Sequence, residues 1–75
     1  MPATRHYTLE LADRDDVLMR VVSLCLRRRA EVVGLRFVRG DRHRPARLEL
    51  TVREGGPPLG DRLRALVDVR AVEEA

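Results

Sequence analysis

The apolar side chains between His6 and Arg29 change their spacing once, and that change limits the fold more than any composition figure. In HYTLEL (His6 to Leu11), Tyr7, Leu9 and Leu11 alternate with His6, Thr8 and Glu10. Strict alternation is the pattern of a strand with one face buried. ADRDD then supplies helix-start chemistry. Asp13 is placed as the N-cap, and Asp15 and Asp16 fall in the first turn, where negative charge complements the helix dipole. From Asp15 to about Arg29 the period is helical: Val17, Leu18, Val21, Leu24 and Cys25 form one apolar stripe, with Arg20, Ser23 and Arg27 on the far side. Val22 and Leu26 widen the stripe beyond what a single sheet contact needs. Arg27, Arg28 and Arg29 close the last turn, where cations offset the exposed carbonyls.

The same reading extends down the chain. EVVGLRFVRG (Glu31 to Gly40) is a strand with Val33, Leu35 and Phe37 as the inward set, opposite Val32, Gly34, Arg36 and Val38. GDRHRP (Gly40 to Pro45) is a polar turn of hairpin length. ARLELTV (Ala46 to Val52) returns with Leu48, Leu50 and Val52 alternating against Arg47, Glu49 and Thr51. EGGPPLG is a loop by composition. Leu59, Leu63, Leu66 and Val67 stand at helical spacing, and DVRAVEE reads as a last strand. The order strand, helix, strand, strand, helix, strand predicts a ferredoxin-like α+β sandwich: a four-stranded antiparallel sheet in order 4-1-3-2 with both helices on one face. The whole chain, 1–75, is expected to be one domain with its core between about residues 6 and 72.

Size sets limits on what holds such a domain together. A chain of 75 residues buries only about 60% of its unfolded surface, so help from a second subunit is expected. One cysteine forms no internal disulfide, and Cys25 with His6 and His43 matches no zinc spacing. No metal site or cofactor is therefore expected. No apolar run approaches the ~20 residues of a membrane span, and a cytoplasmic protein without membrane association is the expectation.

The net charge of +3 invites a nucleic-acid reading, but all 15 basic residues are Arg and the chain contains no Lys, Asn, Gln or Ile. Lys, Asn and Ile have the codons richest in A and T, so a GC-rich gene accounts for their common absence. Twelve acidic residues are interspersed among the arginines, the pattern of a mixed solvated surface. RNA-recognition domains of this topology stack bases on aromatics of the central strands. Here Tyr7 and Phe37 are the only aromatics, and alternation turns both toward the helices. The open face instead carries Thr8, Glu10, Arg47, Glu49 and Thr51, an ordinary cross-strand charge ladder. No nucleic acid is expected as a partner. Successive helical residues point about 100° apart, so Arg27 to Arg29 are not expected to make one patch.

Catalytic signals are equally sparse. No Ser, Cys or His stands in a motif with a partner, and Cys25 on the apolar stripe reads as a small buried thiol. Acylphosphatases share this architecture but depend on an asparagine, which this chain lacks. A non-enzymatic module is the expectation.

The stretch LADRDDVLMRVVSL, followed by Arg28 and VVGL, resembles the ACT domain, and more narrowly the short small subunit of acetolactate synthase (acetohydroxyacid synthase). Those subunits carry a strand ending in L-x-N-x-x-G-x-L-x-R-V before a helix. Leu11, Leu18, Arg20, Val21, Leu24, Arg28 and Leu35 match, and LELTV and LVDVRAV resemble the later strand segments. The resemblance implies a non-catalytic subunit that activates the large, thiamine-diphosphate-dependent subunit in branched-chain amino-acid biosynthesis. The alternative is a free-standing homodimeric ACT-type sensor of an amino acid or another small molecule.

Within that frame the effector loop comprises Asp13, Arg14, Asp15, Asp16, Val17 and Leu18. Asp13 stands where the family has asparagine, and Asp16 where it has the glycine that lets helix-start N–H groups approach a ligand carboxylate. An aspartate there fills the space and repels the anion, so weak or no binding of a branched-chain amino acid is expected. Arg29 stands where the family has the glycine that ends the helix. A left-handed arginine is costly, so the helix is expected to run on to Ala30. Strand Glu31 to Gly40 is predicted to lie at a sheet edge, apolar and largely free of blocking devices. Val32, Val33, Gly34, Leu35 and Arg36, with Val22 and Leu26 from the helix, are the residues expected to pair two copies into a twofold-symmetric homodimer.

Overall fold

The structure is a computed structural model and describes residues 3–75. Its elements follow the order β1 (Ala3–Leu11), α1 (Asp15–Arg27), β2 (Glu31–Val38), β3 (Ala46–Glu54), α2 (Gly60–Arg64) and β4 (Val69–Glu74). The strands form one sheet in the order β2-β3-β1-β4, with every neighbouring pair antiparallel. This is the ferredoxin-like arrangement, reached because alternation on β1 and β3 gives the sheet one apolar face. Tyr7, Leu9 and Leu11 of β1 and Ala46, Leu48, Leu50 and Val52 of β3 are buried on that face. Val17, Val21, Leu24 and Cys25 of α1, with Leu59 and Leu63 at α2, complete the same cluster. No described helix is long and apolar enough to cross a membrane.

β1 and β3 are longer than their apolar runs, pairing from Ala3 with Glu54 to Leu11 with Ala46. Because period two continues past the apolar residues, Arg5 and Glu54 also fall on the helix side.

Four local expectations are corrected. First, α1 ends at Arg27 rather than running to Ala30, and Arg29 takes the left-handed conformation at φ 56°. Ala30 N donates to Cys25 O at 2.9 Å and Arg29 N to Leu26 O at 3.1 Å, the two bonds of a Schellman motif. Satisfying those carbonyls and burying Ala30 outweighs the cost of a left-handed arginine.

Second, by register the helix-side set of β2 is Val32, Leu35 and Phe37, paired with Val52, Leu50 and Leu48, although only Phe37 packs against the core and Val32 and Leu35 stay exposed. A bulge between Val32 and Gly34 absorbs one residue, so Val33 leaves the inward set and is exposed. One extra residue in a period-two strand exchanges its faces from that point on. Third, β2 stops at Val38. Fourth, α2 is only Gly60–Arg64, and Val67 is exposed in a turn where Asp68 is also left-handed, at φ 67°. That turn returns the chain to the sheet, and Asp68 O accepts a hydrogen bond from Ala12 N at 2.9 Å.

Candidate functional site

The loop between β1 and α1 lies at the end of the sheet, beside the β2–β3 hairpin and the α2–β4 turn. Asp13 does not cap α1. Arg14 is the N-cap, extended at φ −142° and ψ 142°, with no side-chain cap bond. The Asp13 carboxylate instead accepts from Arg39 Nη1 at 3.0 Å, while Arg39 Nη2 donates to Asp15. Arg39 also lies over the Phe37 ring, 5.1 Å from its centroid. A guanidinium that binds two carboxylates outcompetes the weaker bond from a carboxylate to a helix-start N–H.

Asp16 is enclosed by cations. It accepts from Arg14 at 3.0 and 3.4 Å and from Arg20 at 3.0 Å. The hydrogen bond from Arg14 holds its carboxyl below the ordinary carboxylate range, opposed by partial desolvation and aided by the charges of Arg14 and Arg20. Asp68 joins from the other side, 2.6 Å from Arg14 and 3.9 Å from Arg20. Arg14 and Arg39 are held protonated by these carboxylates. Each carboxylate at the loop is therefore paired within the molecule, four of them sharing three guanidinium groups. An amino-acid carboxylate arriving here meets Asp13, Asp15, Asp16 and Asp68, and its ammonium finds each of them engaged. Val17 is buried in the core and Leu18 is half-buried against it, so neither is offered to a ligand.

Two concavities adjoin the loop. A shallow depression of about 480 Å³ on the open sheet face is bordered by Glu10, Arg36, Arg39, Arg47 and Glu49, and a smaller one near 250 Å³ lies by Asp13 and the hairpin tip. The charge ladder is present on the open face: Arg47 and Glu49 are 3.4 Å apart and Arg36 reaches Glu49 at 3.9 Å. His6 Nδ1 lies 2.9 Å from Thr51 Oγ1 on that face. Gly40 is needed where the hairpin closes, since a Cβ there would stand 2.5 Å from Arg44 O.

Sequence reasoning missed one polar cluster. Glu54 is buried on the helix side of β3, and its Oε1 accepts from the Tyr7 hydroxyl at 2.9 Å. Arg5 Nε lies 3.0 Å from the same oxygen, and Arg5 Nη1 donates to Glu74 at 2.9 Å. Glu54 Oε2 is buried without a partner. Burial, then the neighbouring Glu54, push the Tyr7 hydroxyl up to about 12. Carrying the alternation of β3 two residues beyond Val52 would have placed Glu54 inward. Cys25 is buried as expected, and burial raises its thiol pKa, which disfavours the nucleophilic thiolate. Among the described residues no cluster of His, Cys, Asp and Glu is arranged to hold a metal.

β4 is one edge strand of the sheet, and the other is β2, hydrogen-bonded only to β3. Val32, Val33, Leu35 and Val38 are exposed along it, with Met19 and Leu26 of α1 (69% exposed for Leu26), while Gly34 and Val22 are half-buried. Leu24, on the opposite flank of α1, lines a cleft with Leu66 beside α2. The Met19–Val22–Leu26 flank is therefore turned away from that cleft. The β2 edge does carry a blocking device, the bulge at Val33, which breaks its register between Val32 and Gly34 and leaves the stretch from Gly34 to Val38 regular. Arg36 is exposed within that stretch.

The three arginines of the tract do not line one site, since Arg29 stands apart from the cleft that the other two border. Arg27 and Arg28 share the Leu24–Leu66 cleft with Arg62 of α2. Arg28 N still donates to Leu24 O at 3.0 Å, so the helical rotation persists and the two side chains flank Leu24 from either side.

Compared with models of known protein families and with curated proteins, the chain matches none.

Proposed function

We propose that this protein is a non-catalytic, ACT-type small subunit of acetolactate synthase. It activates the large catalytic subunit in branched-chain amino-acid synthesis in the cytoplasm, without feedback by valine. The single observation that carries the reading is the β1–α1 loop. It stands where an effector site of this resemblance would lie, yet its carboxylates are bound by Arg14, Arg20 and Arg39. A module that retains the frame while filling the ligand's place suits activation better than sensing. Leu11, Val21 and Leu24, which carry the resemblance, also lie in the core. The reading includes neither nucleic acid nor membrane as a partner. In its support, Tyr7 is buried and Phe37 is half-buried on the helix side, so neither aromatic is displayed on the open face for stacking.

Self-association through β2 belongs to the same reading. The exposed apolar residues of β2 and of the neighbouring flank of α1 would be covered by a second copy, giving an eight-stranded sheet across a twofold axis. Sedimentation at micromolar concentration tests this, and a monomer there rejects the pairing.

The second reading, a free-standing homodimeric sensor, draws on the 480 Å³ depression of the open face, where four arginines and three acids could meet a small zwitterion. Titrating the cognate large subunit with this protein, with and without valine, separates the two. A saturable, valine-insensitive rise in acetolactate formation upholds the small-subunit reading. Activation abolished by valine keeps the subunit and rejects the account of the loop. An unchanged rate rejects the assignment and leaves the sensor.

A further inference from the structure

We propose that the cleft between the C-terminal end of α1 and α2 is the surface that receives the catalytic subunit, and that the segment it receives is acidic and amphipathic. The partner's identity rests on the small-subunit reading; the chemistry of the segment rests on the cleft alone.

The cleft is an open groove of about 370 Å³. Leu24, Ala65 and Leu66 form an apolar floor, and Arg27, Arg28 and Arg62 form the rim. No acidic residue lines it. Among the described residues, none of these three arginines has a carboxylate within 4.0 Å. The nearest acid in sequence, Asp61, is bonded to Arg64 at 3.3 Å. Eight arginines are paired with a carboxylate, as in the effector loop and along the open face, whereas Arg29, Arg42, Arg44 and Arg70 are, like the three of the rim, in no ion pair among the described residues. What sets the cleft apart is its lining: the unpaired arginines by the hairpin tip share their concavity with Asp13 and Asp41, whereas Arg27, Arg28 and Arg62 converge on an apolar floor with no acid beside them.

Helix-end electrostatics accounts for Arg27 and Arg28 singly but not for their convergence with Arg62 from another element. The complementary surface is one that inserts aliphatic side chains between carboxylates, as one face of an acidic amphipathic helix does. A nucleic-acid strand fits less well. It needs faces on which to stack bases, and the lining residues supply an aliphatic floor without an aromatic. The cleft also lies on the α2 side of α1, opposite the flank assigned to self-pairing, so a dimer would keep both clefts free.

The test compares wild-type protein with the double charge reversal Arg28→Glu/Arg62→Glu and the neutral pair Arg28→Gln/Arg62→Gln for binding to the cognate large subunit. Both arginines are exposed, and a thermal melt checks that each variant folds. The expected result is binding weakened about tenfold or more by the reversal and by less in the neutral pair, with a wild-type affinity that falls as salt rises. Equal binding by all three proteins overturns the cleft while leaving the small-subunit reading standing. If wild type does not bind the large subunit, that reading fails and the cleft is tested alone. The probe is then a capped amphipathic leucine–glutamate peptide, with its leucine–arginine counterpart as control. Saturable amide shifts at Leu24, Arg28, Arg62 and Leu66 with the acidic peptide only uphold the cleft's chemistry. No shifts, or stronger shifts with a short oligonucleotide, overturn it.

Discussion

Replacing Arg29 with glycine should stabilise this protein, although it removes a side chain. Arg29 is held at φ 56°, where a Cβ crowds the following carbonyl and costs roughly 1–2 kcal/mol. The position is not free to relax. The bonds from Arg29 N to Leu26 O and from Ala30 N to Cys25 O require that turn, and Ala30 is buried behind it at 4% exposure. Glycine removes the strain but returns about 0.4–1 kcal/mol through its greater freedom in the unfolded chain. The net gain is about 1 kcal/mol, which raises Tm by roughly 4–8 °C in a domain of this size. Arg29→Ala is the control, because it removes the same charge and side chain while keeping the Cβ. Thermal and urea melts by circular dichroism, at fixed protein concentration, compare the three proteins. Glycine should be more stable than both alanine and arginine, with an unchanged urea slope. Glycine and alanine variants of equal stability would falsify the backbone argument.

Other outcomes follow from the buried and clamped groups. The single tyrosine, Tyr7, should titrate near 12 rather than 10 in the folded protein. Between those values the folded state keeps a proton that the unfolded state has lost, so this contribution to stability is complete below pH 10 and is lost as pH rises toward 12. An ultraviolet absorbance titration with a midpoint near 10 on folded protein would reject the Glu54 cluster. Tyr7→Phe should cost about 1–3 kcal/mol, because it removes the Glu54 hydrogen bond inside the core, and denaturant melts read this directly. Arg39→Ala should release Asp13 and Asp15 together and speed amide exchange at the start of α1, leaving β1 and β3 protected; unchanged exchange rejects the clamp. Gly40→Ala should destabilise the hairpin by about 1–3 kcal/mol, given a Cβ 2.5 Å from Arg44 O, and a neutral melt would show that the hairpin shifts freely.

Much of the fold was legible in local spacing. β1, α1 and β3 follow from apolar residues two apart or three to four apart, and the core is the set those spacings select. Pairing order followed from the sequence of elements, since an antiparallel hairpin flanked by two crossovers leaves few alternatives. α2 was less legible. Its apolar residues kept helical spacing to Val67, but the return to β4 needed a turn at Asp68 that spacing does not register.

The candidate site was legible by position and not by partner. Asp13, Asp15 and Asp16 were placed at a helix start, but the cation that engages Asp13 and Asp15 is Arg39, 26 and 24 residues away. The Arg27–Arg28–Arg62 cleft likewise joins two helices that no local pattern connects.

By itself the sequence determined which residues of β1, α1 and β3 face the core and in what order strands and helices follow, because side-chain periodicity is a property of each segment's own backbone. Tertiary structure decided where α1 stops, which face Val33 takes, and which arginine each aspartate holds. Each of those outcomes is a competition between a local preference and a partner that arrives only when distant segments pack. A buried alanine with two satisfied carbonyls outweighs one strained arginine, and a forked guanidinium outweighs a helix cap.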